Sequence, residues 1–151
     1  MTRFLMCSLV WWALSGCVPW HSIEQPALTL ETRDIDGNAI EGARVHFVKV
    51  KITLLPKTEH IELQTNSNGQ VSIDKKSDWH MAALVPDGNY SYEWFLCVEK
   101  DRYRSVVYNA LSQSKLSTPF IVVLQSAQVS EPCIWSDHYP FGFKSGAKNE
   151  S

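Results

Sequence analysis

Long apolar runs are missing from this 151-residue chain: the most apolar stretch, Phe4 to Leu14, has 11 residues, whereas a helix that spans a bilayer needs about 20. A charge excess is missing too. Lys and Arg number 14 against 16 Asp and Glu, which gives no reason to expect nucleic acid or anionic head groups as partners. The five histidines, at 21, 46, 60, 80 and 138, include no i, i+4 pair and no His-Glu-x-x-His, so no zinc site is signalled. No Gly-x-Ser-x-Gly elbow marks a nucleophilic serine, and no phosphate loop or dinucleotide fingerprint occurs. Nothing singles out two of the 16 acids as a glycosidase pair. The expectation is a non-enzyme with no metal and no cofactor.

What is present begins at the amino end. A basic residue, Arg3, precedes the apolar run, which closes on Leu14-Ser15-Gly16-Cys17. An export signal needs those parts in that order, because the basic end stays in the cytoplasm, the apolar run enters the translocon and small residues fit the peptidase cleft. The segment resembles the lipobox of bacterial lipoproteins. The resemblance implies that residues 1–16 are a cleaved signal peptide and that Cys17 is acylated as the first residue of the mature chain. The alternative is a plain secretory signal cut elsewhere, which leaves Cys17 an ordinary thiol. Val18 follows the cysteine; in lipoproteins of enteric type an aspartate there implies inner-membrane retention, so its absence favours the outer membrane, facing the periplasm.

Removing residues 1–16 leaves 135 residues and takes away one base and no acid, for a charge of about −3. That length fits one domain burying roughly two-thirds of its unfolded surface. Cys7 leaves with the signal and Cys17 is assigned to lipid, so Cys97 and Cys133 remain. An even remainder in an exported chain suggests a disulfide; two free buried thiols are the alternative.

Val18 to Pro26 holds two prolines and little periodicity, and reads as a tether that keeps the folded part within roughly 30 Å of the bilayer. Leu28, Leu30 and Thr32 then alternate with Thr29, Glu31 and Arg33, the period of a half-buried strand. Asp34 to Asn38 is a turn by composition. It is not a calcium loop of EF-hand type, since Ala39 and Val45 stand where glycine and glutamate are needed. The longest strand signal runs from Arg44 to Leu55, with Val48, Val50, Ile52 and Leu54 on one face. Val45 and Phe47 have the opposite parity, which demands either a bulge near Phe47 or cover on both faces. Glu59 to Thr65 alternates with Ile61 and Leu63 inward, Asn66-Ser67-Asn68-Gly69 reverses the chain, and Val71 and Ile73 resume a strand. An Asn-Gly pair between alternating segments predicts a hairpin with a type I′ turn.

Two segments together carry a second resemblance: Asp36-Gly37-Asn38-Ala39-Ile40-Glu41-Gly42-Ala43-Arg44-Val45, and Thr65 to Ile73 with Gly69 and Val71. They are similar to the repeating text of carboxypeptidase regulatory-like domains, which are transthyretin-like β-sandwiches. The resemblance implies an accessory or binding module without chemistry of its own. Gly42 and Gly69 would allow sharp turns, and Ala43, Val45, Val71 and Ile73 would fill the space between two sheets. The fold expected is all-β, a transthyretin-like or immunoglobulin-like antiparallel β-sandwich of about seven strands.

Further along, Ser77 to Val85 reads as a helical turn stopped by Pro86, and Asp87-Gly88-Asn89 as a turn. Tyr90 to Glu99 alternates, with Trp94 and Leu96 on one face and Phe95 and Cys97 on the other. It pairs through Lys100-Asp101 with Tyr103 to Tyr108. Cys97 points away from the Trp94 face, so the segment around Cys133 should cross the outside of this sheet or pair at its edge. Asn109 to Ser117 is loop-like. Phe120 to Leu124, apolar on both faces, suggests an interior strand. Trp94 and Tyr92 fit the core, whereas Trp135, Tyr139 and Phe141 are candidate anchors for a protein or sugar partner.

The domain plan is therefore a signal peptide at 1–16, lipidated cysteine and tether at 17–26, a β-sandwich at 27–143 and a disordered tail at 144–151. The function expected is a lipid-anchored, non-catalytic binding or assembly module with an envelope protein as partner. Two rivals stand beside it: an outer-membrane lipoprotein component of a secretion machine of type VI kind, and an inhibitor or immunity protein against a periplasmic hydrolase.

Overall fold

Residues of both parities are apolar along the central strand signal, and the fold answers by covering that strand on both faces. The computed structural model describes residues 17–53, 55–83, 91–111, 119–136 and 141–145; for 17, 18, 80–83 and 145 it describes the backbone. The elements are β1 (Cys17–Gln25), β2 (Leu28–Arg33), β3 (Arg44–Ile52), β4 (Lys57–Gln64), β5 (Gln70–Ile73) and β6 (Lys76–Ala83). They continue with β7 (Ser91–Glu99), β8 (Val106–Leu111), β9 (Phe120–Val123), β10 (Cys133–Ser136) and β11 (Gly142–Ser145). The described residues contain no helix, and the all-β class expected from the alternation holds.

Seven strands make two facing sheets, ordered β4-β3-β7-β8 and β5-β2-β9. Val45, Phe47, Leu96 and Val98 from the first meet Leu28, Leu30, Ile73 and Val122 from the second in one buried cluster. Each such side chain taken fully out of water contributes about 1.5–3 kcal/mol. The register of β3 against β4 and β7 runs without a shift, so no bulge reconciles the two parities. Instead Val48 and Val50 join Phe95 and Cys97 in a second cluster on the outer face, under Phe143 and flanked by Trp135 and Phe141. The last two strands, β10 and β11, pair as a ribbon and form this third layer. The segment bearing Cys133 thus crosses the outside of the sheet, as the orientation of Cys97 required.

The corner between the sheets is closed by Thr32, Ile40, Thr65 and Gly69. The Thr32 N–H donates to the Gly69 carbonyl at 2.8 Å and the Ile40 N–H to the Thr32 carbonyl at 3.0 Å. Buried Thr65 donates its hydroxyl to the Ile40 carbonyl at 2.8 Å and accepts from the Ala43 N–H at 2.9 Å. Gly69 is in the left-handed region at φ +70°, and a Cβ there would lie 2.5 Å from the Thr32 carbonyl oxygen. Nearby, the Asp34 carboxylate closes its turn by accepting from the N–H groups of Asp36 and Asn38 and from the Asn38 amide, all within 2.9 Å.

Several expectations are corrected. Asn66 to Gly69 is a tight turn, with Gly69 N–H donating to the Asn66 carbonyl at 2.8 Å, yet it joins no hairpin. Its flanking strands part company, β4 pairing with β3 and β5 with β2. Gly69, and not Asn68, takes the positive φ, so the type I′ geometry is absent. The stretch read as a helical turn, Ser77 to Val85, is strand over Lys76–Ala83, because pairing with β1 overrides the propensity of its Met and Ala. The stretch read as a tether is that partner, β1. Pro19 is tolerated since both strands of a two-stranded ribbon are edges. The strand after Lys100 is Val106–Leu111 rather than Tyr103 to Tyr108, with a bulge at Asn109–Ala110, where Ala110 adopts φ +54°. Phe120–Val123 is an edge strand paired in parallel with β2, with Ile121 and Val123 about half exposed, at 50% and 48%. Lys144 and Ser145, read as tail, belong to β11. The signal peptide, the turn at Asp87-Gly88-Asn89, Tyr139 and the tail from 146 lie outside the described residues.

Candidate functional site

Cys17, the residue singled out for acylation, opens β1, its backbone opposite Ala83 at the outer end of the β1–β6 ribbon. Burial falls along β1 from Gln25 to Pro19, while Lys76 to Trp79 of β6 are exposed. At its base Gln25 is buried and donates its side-chain amide to the Asp74 carbonyl at 2.7 Å, and Ile23 packs on the main core. Further out, Trp20 is 60% and Trp79 69% exposed, with the His21 and Trp79 rings 5.0 Å apart.

A polar network clamps the base to the four-stranded sheet. Trp94 donates its indole N–H to the Glu24 carbonyl at 2.8 Å, and Tyr92 its hydroxyl to Glu24 Oε1 at 3.1 Å. Lys49, facing the main core side of β3 and 6% exposed, places its ammonium 2.8 Å from Glu59 and 3.8 Å from Glu24. A buried ammonium needs such partners, since desolvation without them is costly. In return the hydrogen bond from Lys49 holds the Glu59 carboxyl below its ordinary range.

The disulfide joins Cys97 on β7 to Cys133 on β10, with Cα atoms 6.1 Å apart. Beside it Glu99, buried, accepts from the Cys133 N–H and pairs with Arg44 at 2.9 Å. His46 Nε2 lies 3.3 Å from the same carboxylate. His46, Glu99 and Cys133 put potential ligand atoms within 4.8 Å of one another, but a disulfide sulfur has no thiolate to offer a metal and Glu99 is committed to its partners. A shallow polar cleft of about 190 Å³ opens alongside, lined by Gly42, Arg44, Gln64, Glu99, Lys100 and Asp101. Its cations are engaged: Arg44 with Glu99, and Lys100 donating to the Glu41 carbonyl at 2.8 Å.

Of the aromatics read as partner anchors, Trp135 is half-buried in edge-to-face contact with Phe95 at 5.2 Å, Phe143 at 5.1 Å and His60 at 5.4 Å. Phe141 is half-buried against the same cluster. These two rings roof the second core, and Cys17, Cys97 and Trp135 do not converge on one site: Cys17 lies at the far end of the ribbon, Cys97 and Trp135 in the second core. The residues missed in the sequence are Trp20 and Trp79, brought to neighbouring rungs by β1–β6 pairing. Their signal was obscured by Pro19 and by the distance between the two strands along the chain.

Comparison of the chain with family models, with curated proteins and with solved structures returned no match.

Proposed function

We propose that this chain is an exported, lipid-anchored β-sandwich held at the periplasmic face of the outer membrane, where it acts as a non-catalytic binding or assembly module for an envelope protein. The observation that carries the reading is Leu14-Ser15-Gly16-Cys17, whose cysteine opens β1. An acyl group on Cys17 sits at the tip of the β1–β6 ribbon, so the ribbon serves as a short stalk between lipid and sandwich. The Cys97–Cys133 disulfide supports an oxidising compartment. The transthyretin-like character of the sandwich belongs to the same proposal.

Mass spectrometry of the amino-terminal peptide from membrane-purified protein tests it. The expected product begins at Cys17 and carries acyl chains; an unmodified Cys17, or a chain that still begins at Met1, refutes the anchor. Density-gradient separation of the two membranes tests the sorting that Val18 implies, with recovery in the inner-membrane fraction against it. Affinity capture from native membranes tests the envelope partner.

A further inference from the structure

We propose that the outer half of the β1–β6 ribbon docks on the membrane itself, with Trp20 and Trp79 seated in the lipid head-group layer; this rests on the acylated Cys17 of the proposed function. Exposed tryptophans scattered singly over a surface need no explanation, but these two are not scattered. In the antiparallel register Trp20 faces His80 and His21 faces Trp79. The indoles therefore occupy adjacent rungs and, since opposed residues share a face, project from opposite faces of the ribbon. Both are mostly in solvent, at 60% and 69% exposure, so each indole leaves most of its surface open. A two-stranded ribbon on its own is marginal in water, and among the described residues Ile23, Glu24 and Gln25 fasten this one to the sandwich at its base.

Position identifies the occupant. The outer end of the ribbon is the end to which Phe4 to Leu14, or the lipid that replaces it, is joined. Trp20 is three residues from Cys17 and Trp79 lies opposite the fourth, distances of about 10 and 13 Å along an upright ribbon. A lean of about 45° within the plane of the ribbon, the tilt common to strands in membranes, lowers both to roughly 7–9 Å, the outer edge of a head-group layer about 5–8 Å deep. Head-group level is where tryptophan is enriched, because its apolar rings leave water while its N–H keeps polar company. The two remaining tryptophans of the mature chain are out of reach of lipid: Trp94 is buried with its N–H bonded to Glu24, and Trp135 is packed in the second core.

The test uses the full chain purified from membranes, its amino terminus recorded by mass spectrometry, in phosphatidylethanolamine and phosphatidylglycerol vesicles whose acyl chains carry bromine near the glycerol. The expected result is quenching of tryptophan emission in the native chain, stronger than with bromine deep in the acyl chains. Trp20→Phe/Trp79→Phe should lose most of that quenching with its circular dichroism and disulfide unchanged, each single variant losing part. Phenylalanine keeps an aromatic ring at these exposed positions, so the fold is retained. Absence of quenching with Cys17 acylated overturns the docking and leaves the anchor standing, as does a double variant quenched like the native chain. Should Cys17 prove unmodified, the anchor fails separately. Quenching at Trp20 and Trp79 on added vesicles then still upholds the docking, and its absence overturns it.

Discussion

Replacing Cys97 and Cys133 together by alanine removes the bond that fastens the outer β10–β11 ribbon to the sandwich. The crosslink closes a loop with a sequence separation of 36. In the chain-entropy account such a loop stabilises the fold by about 4 kcal/mol, by narrowing the unfolded ensemble. Cys97 is completely buried, so alanine there adds a small cavity cost of about 1 kcal/mol. A total of about 4–5 kcal/mol is a large share of the ~5–15 kcal/mol that holds a domain together. It corresponds to a urea midpoint lower by about 2 M for a slope near 2 kcal/mol/M. The loss should also be uneven. Once the sulfur link is gone, the ribbon is held by Trp135 and Phe143 packing, by the Cys133 N–H to Glu99, and by Asn109, which accepts from the Phe143 N–H at 3.0 Å. Urea unfolding of the native and doubly substituted chains, followed by circular dichroism, gives the magnitude. Amide exchange read at Trp135 and Phe143 against Phe47 and Leu96 gives the location. A loss below about 1 kcal/mol, or exchange that quickens equally in β3 and β7, would refute this account of the third layer.

Three further outcomes follow from the same geometry. Gly69→Ala forces a Cβ into the Thr32 carbonyl oxygen at a left-handed φ and should cost at least 1–3 kcal/mol, read as a lower thermal midpoint; an unchanged midpoint would show that the corner yields. Lys49→Met removes the partner that depresses the Glu59 carboxyl. A carboxyl with a lowered folded pKa contributes stability above its unfolded pKa of about 4.3 and loses it as pH falls through the folded value. The variant should accordingly show a shallower acid limb in stability against pH, and a limb as steep as the native one contradicts the pairing. The Asp34 carboxyl, held low chiefly by its hydrogen bond from the Asn38 side chain, should titrate below an ordinary aspartate by carbon-detected NMR and rise in Asn38→Ala toward the ordinary range, short of it because the backbone N–H bonds remain.

What could be read in the sequence was whatever its neighbours along the chain decide. The alternation of Leu28, Leu30 and Thr32, the two-faced character of Arg44 to Ile52 and the opposed faces of Trp94 and Cys97 all survive in the fold, since period two is a local property. The parity argument at Cys97 even located the layer that carries Cys133. Pairing between distant segments left no such trace. Nothing within Cys17 to Gln25 announces Lys76 to Ala83 as its partner, so the first looked like a tether and the second like a helical turn. The Asn68-Gly69 pair promised a hairpin because turn chemistry speaks for the reversal alone, not for where the next strand goes. Phe120 to Val123 looked interior because apolar content on both faces cannot distinguish a buried strand from an edge. For the same reason Trp135 looked like an anchor, although the Phe95 and Phe143 rings that enclose it lie on other strands.

The parallel pairing of β2 with β9 sets Leu30 opposite Phe120, and β1 waits for β6. The first two strands consequently find their hydrogen-bonded neighbours only in segments far along the chain. Such non-local pairing slows folding, and under the export proposed above slowness is useful, because a chain that folds late stays threadable through the pore.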